Sequence, residues 1–283
     1  MSKISVCLIH VLLVLISTKV SSQSDSSTLS PPPDSLHYDF ILIDTKIQNQ
    51  FAFLGRDFGT NIPVSSVTLA YYFHTNIWIG ASAFYFFDDF IPLQTGITLG
   101  YYKEFSPHLD LHLSYSQFYI PDKDIPSASK SQGYFQSTLG LDWGLLYSTI
   151  QPQLIIRKNG DLFITSAHSR YFEFNGRLFK KIKVSFEPRF AFTFGTHHFD
   201  YADGIVVGPG GGAVAVPNEE KDLGKKIVPL NWDFTFPLKF EEGKATIEFS
   251  WRYSSPLNIA SSDVSEPAHF FAASIGYYIP IAK

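Results

Sequence analysis

The feature that most constrains this chain is a two-residue alternation of apolar and polar side chains, repeated over long segments. From Ile182 to Phe194 every second residue is apolar, and the residues between them include Lys183, Glu187 and Arg189. Successive side chains of a strand point to opposite faces, so this pattern predicts a strand with one apolar and one polar face. Twelve such segments are predicted: 41–54, 64–74, 77–87, 94–105, 108–119, 134–146, 148–157, 168–179, 182–195, 228–240, 245–254 and 268–281.

The length of these segments favours a membrane. Strands of soluble proteins usually have about 5–6 residues, whereas about 10 residues of tilted strand cross a bilayer. The predicted connections alternate between long (55–63, 88–93, 120–133, 158–167, 196–227, 255–267) and short (75–76, 106–107, around 146–147, 180–181, 241–244). This order is typical of a closed, antiparallel, up-and-down transmembrane barrel of twelve strands, an all-β fold. A Greek-key sandwich does not produce it.

The distribution of charge indicates which face meets lipid. Sixteen ionisable side chains fall on the polar faces, eight basic and eight acidic, whereas Lys103 is the one found on an apolar face, next to a turn. A lipid-facing Arg or Lys at mid-membrane costs roughly 2–4 kcal/mol, so the polar faces are predicted to point inward. A water-soluble barrel or sandwich, with its Phe-rich faces buried, stays open as the counter-interpretation.

Segment 77–87 is apolar on both faces, and its register is undetermined. With His112 added, the predicted lumen-lining set is Asp44, Lys46, Arg56, Glu104, Asp110, His112, Asp142, Arg157, Glu173, Arg177, Lys183, Glu187, Arg189, Asp233, Lys239, Glu248 and Arg252.

Prolines interrupt three of the predicted strands, at Pro152, Pro188 and Pro237. Proline has no N–H to donate to a ladder, and a closed barrel has no edge strand to hold it. We therefore expect either a local bulge at Pro188 or a different strand boundary.

The N-terminal residues have the pattern of an export signal. Lys3 is followed by the apolar run 4–16 and by the small residues at 20–22, which predicts a signal peptide over 1–22. Residues 23–38 are rich in Ser and Pro and predict a flexible leader, and 39–283 form the barrel domain. The only cysteine, Cys7, lies inside the signal, so the mature chain has no thiol for a disulfide, a metal or a nucleophile.

Composition excludes several classes of protein. Aromatic residues are 16% of the chain and charged residues 17%, which disfavours a disordered chain or a coiled coil. The formal net charge of −4 comes with no basic patch, so no nucleic-acid partner is predicted.

With its alternating strands and its last segment 268–281, the chain resembles the outer-membrane β-barrel proteins of Gram-negative bacteria. In that segment Phe271, Ile275, Tyr277 and Ile279 alternate as in the terminal strand that the assembly machinery binds, although the chain ends Ile281-Ala282-Lys283 rather than in an aromatic residue. The resemblance implies an outer-membrane location, with membrane lipid and the barrel-assembly machinery as partners.

No sequence pattern strongly predicts a catalytic, metal-binding or phosphate-binding site. Ser166 and His168 have the two-residue spacing of an outer-membrane phospholipase, but in reversed order, and no Asn is placed to orient the imidazole. His197 and His198 are adjacent and lack further metal ligands, and the glycine-rich 208–212 lacks the Lys of a phosphate loop. Neither a catalytic residue, a metal site nor a cofactor is predicted.

The balance of charge on the polar faces indicates ion pairs across the interior, because an ion-selective pore carries an excess of one sign. We therefore expect a narrow channel or uptake pore for small polar solutes. Two alternatives stay open: a non-conducting structural or surface-interaction barrel, and a phospholipase-like hydrolase.

Overall fold

A computed structural model describes residues 38–52, 61–88, 91–120, 131–156, 160–179, 181–196, 227–259 and 265–281, with the backbone of 206–207 and 213–214. It is all-β, and among these residues no helix is long and apolar enough to cross a membrane. The twelve main strands are β1 (Asp39–Gln48), β2 (Val64–Tyr72), β3 (Ile77–Phe86), β4 (Gln94–Ser106), β5 (Leu109–Tyr119), β6 (Ser131–Asp142), β7 (Tyr147–Ile156), β8 (Leu162–Ser169, continued by Phe172–Glu173), β9 (Lys183–Phe186, continued by Arg189–Thr196), β10 (Ile227–Glu242), β11 (Ala245–Pro256) and β12 (Ala268–Ile281).

These strands close into a barrel. Each pairs antiparallel with its neighbours in sequence, and β12 returns to pair with β1 from Asp39↔Ile281 to Gln48↔Ala272. The predicted twelve-stranded up-and-down barrel is confirmed. A separate pair of two-residue strands, Val206–Val207 and Ala213–Val214, lies in the connection between β9 and β10.

The connections alternate less strictly than predicted. On one rim, which we call the short-turn rim, β10 and β11 are joined by Gly243–Lys244, and Gly243 has the positive φ of 61° that suits glycine. On the other, the long-loop rim, residues 197–226 form the longest connection. The prediction was wrong for 158–167, because β8 begins at Leu162. On the short-turn rim, the connection between β8 and β9 is longer than the predicted turn at 180–181. It spans 174–182 and contains a β-bridge between Leu178 and Ile182.

The outer face of the barrel is apolar. On β4, Ile97 and Leu99 are 53% and 55% exposed, while Gly96 and Gly100, which flank them and point to the opposite face, are buried. Ile275 on β12 is 57% exposed. Exposed apolar rows of this kind on neighbouring strands require a non-aqueous surrounding, and a closed ladder leaves no backbone group unpaired in it. The fold is therefore a transmembrane-type barrel.

The structure also settles the register of segment 77–87. Trp78 and Phe86 are 5% and 0% exposed, whereas Ile79 and Tyr85 are 46% and 51% exposed. Even-numbered residues of β3 thus point inward and odd-numbered residues outward.

The interruption at Pro188 is not a bulge. Both pieces of β9 keep one register against β10, with Phe186 opposite Leu238 and Arg189 opposite Thr235. Pro188 donates nothing to the ladder, but its carbonyl accepts a hydrogen bond from the N–H of Arg170.

The register shift lies elsewhere, on β10. Thr193 pairs with Asn231 and the next residue, Phe194, with Pro229, which leaves Leu230 as the extra residue of a bulge. By the alternation of the predicted segment 228–240, Leu230 falls on the same apolar face as Phe236, but the bulge turns it inward and it is fully buried.

Candidate functional site: the interior of the barrel

Ion pairs near the short-turn rim join β8, β9 and β10. The ammonium of Lys183 lies 3.2 Å from a carboxylate oxygen of Glu173 and 3.7 Å from one of Glu241. Lys239 lies 3.0 Å from the other oxygen of Glu241. These side chains alternate in sign, so this part of the interior has no net attraction for one kind of ion.

A second charged group lies farther along the barrel axis. Lys46 on β1 faces Asp44, Glu248 and Arg252. Arg189 on β9 faces Glu187, Asp233 and the same Arg252, and the Arg252 guanidinium lies 4.6 Å from the centre of the Phe270 ring. The guanidinium of Arg252 therefore lies in the field of both other cations, with carboxylates on each side.

The opposite wall carries an acidic pair with a tyrosine. The hydroxyl of Tyr147 on β7 donates to Oδ2 of Asp110 on β5 at 2.8 Å, crossing β6 at Gly140. A Cβ at residue 140 would lie 2.6 Å from that carboxylate oxygen. Only glycine at this position therefore leaves room for the hydrogen bond between Tyr147 and Asp110. Glu104 lies opposite Asp110 in the β4–β5 ladder, and Asp142 accepts a hydrogen bond from the N–H of Gly144 in the turn.

Four rings form a row on the inner wall near the short-turn rim. Phe40 stacks on Tyr72 at 4.5 Å, Tyr72 on Trp78 at 5.5 Å, and Trp78 on His112 at 5.9 Å. The indole N–H of Trp78 donates to Nε2 of His112 at 3.3 Å. The row connects side chains of β1, β2, β3 and β5 along the inner wall and passes over Gly100 of β4.

A layer of buried apolar side chains lies inside the barrel near the long-loop rim, which the alternation of the sequence did not predict. Phe86, Phe118 and Phe163 are 0–6% exposed on three different strands, although their sequence neighbours Tyr85 and Tyr119 point outward. Phe51 falls within the predicted first strand, 41–54, and on its apolar face, but β1 ends at Gln48 and Phe51 belongs to this layer. The buried side chains of this layer are Phe51, Phe86, Phe118, Ile120, Tyr134, Ile155, Phe163 and Leu230, which we call the apolar plug.

The predicted lumen set divides into three groups. Arg56 and Arg157 lie outside the described residues. Arg177 lies in the connection between β8 and β9 and is exposed. The others are on the strands, or beside them at Glu187, on the side opposite to the exposed apolar rows: Asp44, Lys46, Glu104, Asp110, His112, Asp142, Glu173, Lys183, Glu187, Arg189, Asp233, Lys239, Glu248 and Arg252.

The residues considered for hydrolysis lie on the outer face. Ser166 and His168 alternate with the buried Thr165 and Ala167 on β8. Nδ1 of His168 lies 2.8 Å from Oγ of Ser148 on β7, and that oxygen accepts a hydrogen bond from the indole N–H of Trp143. No contact of His168 with a carboxylate or carboxamide is found among the described residues.

Within the described part of the chain no cluster of His, Cys, Asp and Glu has the geometry of a metal site. The sequence 197–200, with its paired histidines, and the glycine-rich 208–212 lie outside the described residues.

No family model matches the chain, and no curated protein matches it. Among solved structures, the NanC porin has a TM-score of 0.49 at 7% identity, over 83% of this chain and 98% of that one. An outer membrane channel from Pseudomonas putida F1 has a TM-score of 0.46 at 8% identity, over 91% of this chain and 100% of that one. LpxR from Salmonella typhimurium has a TM-score of 0.45 at 7% identity, over 83% of this chain and 99% of that one. Values this low carry no information on a solute or an activity.

The fold and its interior define a class: closed, twelve-stranded transmembrane-type barrels whose inner face is charged and polar.

Proposed function

We propose that the protein is an outer-membrane barrel that forms a narrow pore for small polar solutes. The observation that carries this proposal is the contrast between the two faces of the wall: exposed Ile, Leu and Phe outside, and Lys, Arg, Asp, Glu and Gln inside. Side chains just fill the interior of a barrel of about eight strands, and twelve strands enclose a wider space. It suits a path for water and solutes.

The predicted lumen residues then line that path. These residues carry charges of both signs. For example, Arg252 and Glu248 lie on the same face of β11, four residues apart. This mixture favours a pore that discriminates weakly between anions and cations. By the usual arrangement of outer-membrane barrels, the long-loop rim faces the cell exterior and the short-turn rim the periplasm. Export through a signal peptide cleaved after Ser22 completes the proposal, and mass spectrometry of the mature protein tests it.

Electrical recording in planar bilayers tests the pore. We expect discrete current steps with similar permeability to K⁺ and Cl⁻. Arg252→Gln shifts the permeability ratio toward cations, and the matched variant Glu248→Gln on the same strand shifts it toward anions. Shifts of the same sign in both variants contradict the assignment of these residues to the path. Persistent silence of correctly folded protein supports the alternative of a structural or surface-interaction barrel.

A hydrolase is the second candidate, supported by the 2.8 Å contact between Ser148 and His168 on the lipid-facing side. A Ser–His pair is the minimal arrangement of nucleophile and base. Phospholipid hydrolysis by the purified protein, lost in both Ser148→Ala and His168→Ala, would establish it. Absence of hydrolysis in the unaltered protein removes it.

A further inference from the structure

Polar side chains interrupt the apolar outer face along β8. Ser166 and His168 occupy successive outward positions, and Arg170 follows two residues later, between the two pieces of this strand. Two of their ladder partners are apolar, with Ile150 opposite Ser166 and Phe190 opposite His168. We call the side chains of Ser166, His168 and Arg170 the polar strip. It places hydrogen-bonding groups on a face that elsewhere contacts hydrocarbon.

Arg170 is held at the short-turn rim by the turn between β6 and β7. Its Nη1 donates to the carbonyl of Gly144 at 2.7 Å and also to the carbonyl of Leu145. Its guanidinium carbon lies 6.0 Å from the centre of the Phe172 ring. Among the residues that the structure describes, no carboxylate contacts Arg170. The positive charge is therefore fixed in position without a described anion beside it.

The imidazole of His168 is oriented by two neighbours. The indole N–H of Trp143 donates to Oγ of Ser148 at 3.1 Å, and Nδ1 of His168 lies 2.8 Å from the same oxygen. When this hydroxyl donates to Nδ1, the neutral imidazole carries its proton on Nε2. Nε2 is then a donor, and it remains one when the ring is protonated. It has no hydrogen-bond partner within the described part of the chain.

His168 and Arg170 suit a ligand that they share. Two residues that are two positions apart on one face of a strand are separated by about 7 Å, so their long side chains reach one group between them. Both present N–H donors. A phosphate accepts bonds of this kind, and a guanidinium binds it with two parallel N–H groups. The pair therefore has the chemistry of a phosphate site.

The surroundings indicate which phosphate contacts the pair. In the turn beside Arg170, Trp143 and Leu145 are 67% and 72% exposed, and Phe179 in the next hairpin is 82% exposed. Aromatic and apolar side chains exposed at the end of a membrane barrel belong at the boundary between hydrocarbon and water. Phospholipid phosphates lie at this boundary. They also supply the partners that outward donors would lack in hydrocarbon.

We propose that Arg170 and His168 bind the phosphate of one phospholipid in the leaflet at the short-turn rim. The acyl chains of this lipid pack on the outer face beside Ile150 and Phe190, which are 54% and 43% exposed. The site lies outside the barrel and does not depend on the pore. It holds an uncleaved lipid, whereas the hydrolase considered above uses Ser148 and His168 and has no need of Arg170.

The experiment is native mass spectrometry of the folded protein in detergent micelles. The protein is titrated with phosphatidylglycerol, and the adducts that survive release from the micelle are counted and weighed. Two further probes separate the parts of the ligand. Diacylglycerol with the same acyl chains lacks the phosphate, and inorganic phosphate lacks the chains.

We expect one retained phosphatidylglycerol of intact mass for each protein. Arg170→Gln should weaken its binding about tenfold or more, because a hydrogen bond to a charged group is lost. His168→Gln should weaken it to a smaller degree. Lys103→Gln is the matched control, since Lys103 is a cation on the outer face near the same rim but lies opposite Leu111 in the ladder, and it should leave binding unchanged.

The outcomes that overturn the proposal are distinct. Equal losses in Arg170→Gln and Lys103→Gln mean that binding follows overall charge. Diacylglycerol retained as well as phosphatidylglycerol removes the role of the phosphate, and inorganic phosphate bound as tightly as the lipid removes the assignment to a lipid. Adducts with the mass of cleaved lipid support the hydrolase instead. Heat-dependent mobility on denaturing gels checks folding, and if Arg170→Gln does not fold, unchanged binding in His168→Gln overturns the site.

Discussion

The indole of Trp78 lies directly over Gly100 on the neighbouring strand, so that a Cβ at residue 100 would lie 2.6 Å from Cζ2 of the ring. The ring has no free direction in which to move, because Tyr72 stacks on one side of it and His112 on the other. The row of rings on the inner wall therefore requires a glycine at position 100 of β4.

We therefore expect Gly100→Ala to lower the free energy of unfolding by about 1–3 kcal/mol, the usual cost of overpacking. Denaturant titration in lipid vesicles measures it. Gly276→Ala is the matched control, since a Cβ there would lie 3.5 Å from Oδ2 of Asp44, an ordinary contact. Equal effects of the two substitutions contradict this account of Gly100.

The hydrogen bond from Tyr147 to Asp110 should contribute to stability, because it is half-buried and its acceptor is a carboxyl group. Tyr147→Phe is expected to lower the free energy of unfolding by about 1.5–3 kcal/mol. Tyr119→Phe provides the comparison, since this tyrosine is 45% exposed and has no hydrogen bond to a described residue. A loss no larger than that of Tyr119→Phe shows that the contact contributes nothing.

The ion pairs of Lys183 should contribute little to the free energy of unfolding. Its side chain and the two carboxylates it meets are each between 30% and 41% exposed, so water competes with their attraction. We expect Lys183→Gln to change the free energy of unfolding by about 1 kcal/mol or less. A loss of several kcal/mol in the same titration would mean that the pairs are far better shielded than their exposure indicates.

A substitution on the outer face of β4 tests whether this face contacts lipid. Leu99 is 55% exposed in the middle of the apolar rows. Leu99→Arg should lower the free energy of unfolding in vesicles by roughly 2–4 kcal/mol, because the guanidinium would lie in hydrocarbon. Leu99→Tyr at the same position is the control for size. If arginine is tolerated as well as tyrosine, the outer face meets water.

The sequence was sufficient for the strand order and for most strand boundaries. Alternation is strong wherever one face meets lipid and the other meets charge, and the segment 268–281 coincides with β12. It fails at β8, where the predicted start at 168 lies six residues after the observed start at Leu162. There the inner face carries Phe163 and the outer face Ser166 and His168, so the contrast between the faces is lost.

The apolar plug was missed for a related reason. Phe118 and Tyr134 were given no inward position, because the inner faces were expected to be polar along the whole strand. Near the long-loop rim that assumption does not hold, and a bulge at Leu230 changes the parity of β10 as well. Parity counted from Asp110 and His112 of β5 places Phe118 inside, whereas β3 has no charged residue that would fix the face of Phe86.

The pairing of Asp39 with Ile281 joins the first strand to the last. No partial chain offers β1 both of its neighbours, because one of them is made of the final residues of the barrel. Synthesis must therefore run almost to its end before the circle can form. Until then the chain has to be kept apart from other copies of itself, since β1 and β11 would each present an unpaired edge. Insertion is consequently expected to be a late, all-or-none event, and a chain cut before β12 should be degraded or aggregate instead of entering the membrane as a smaller barrel.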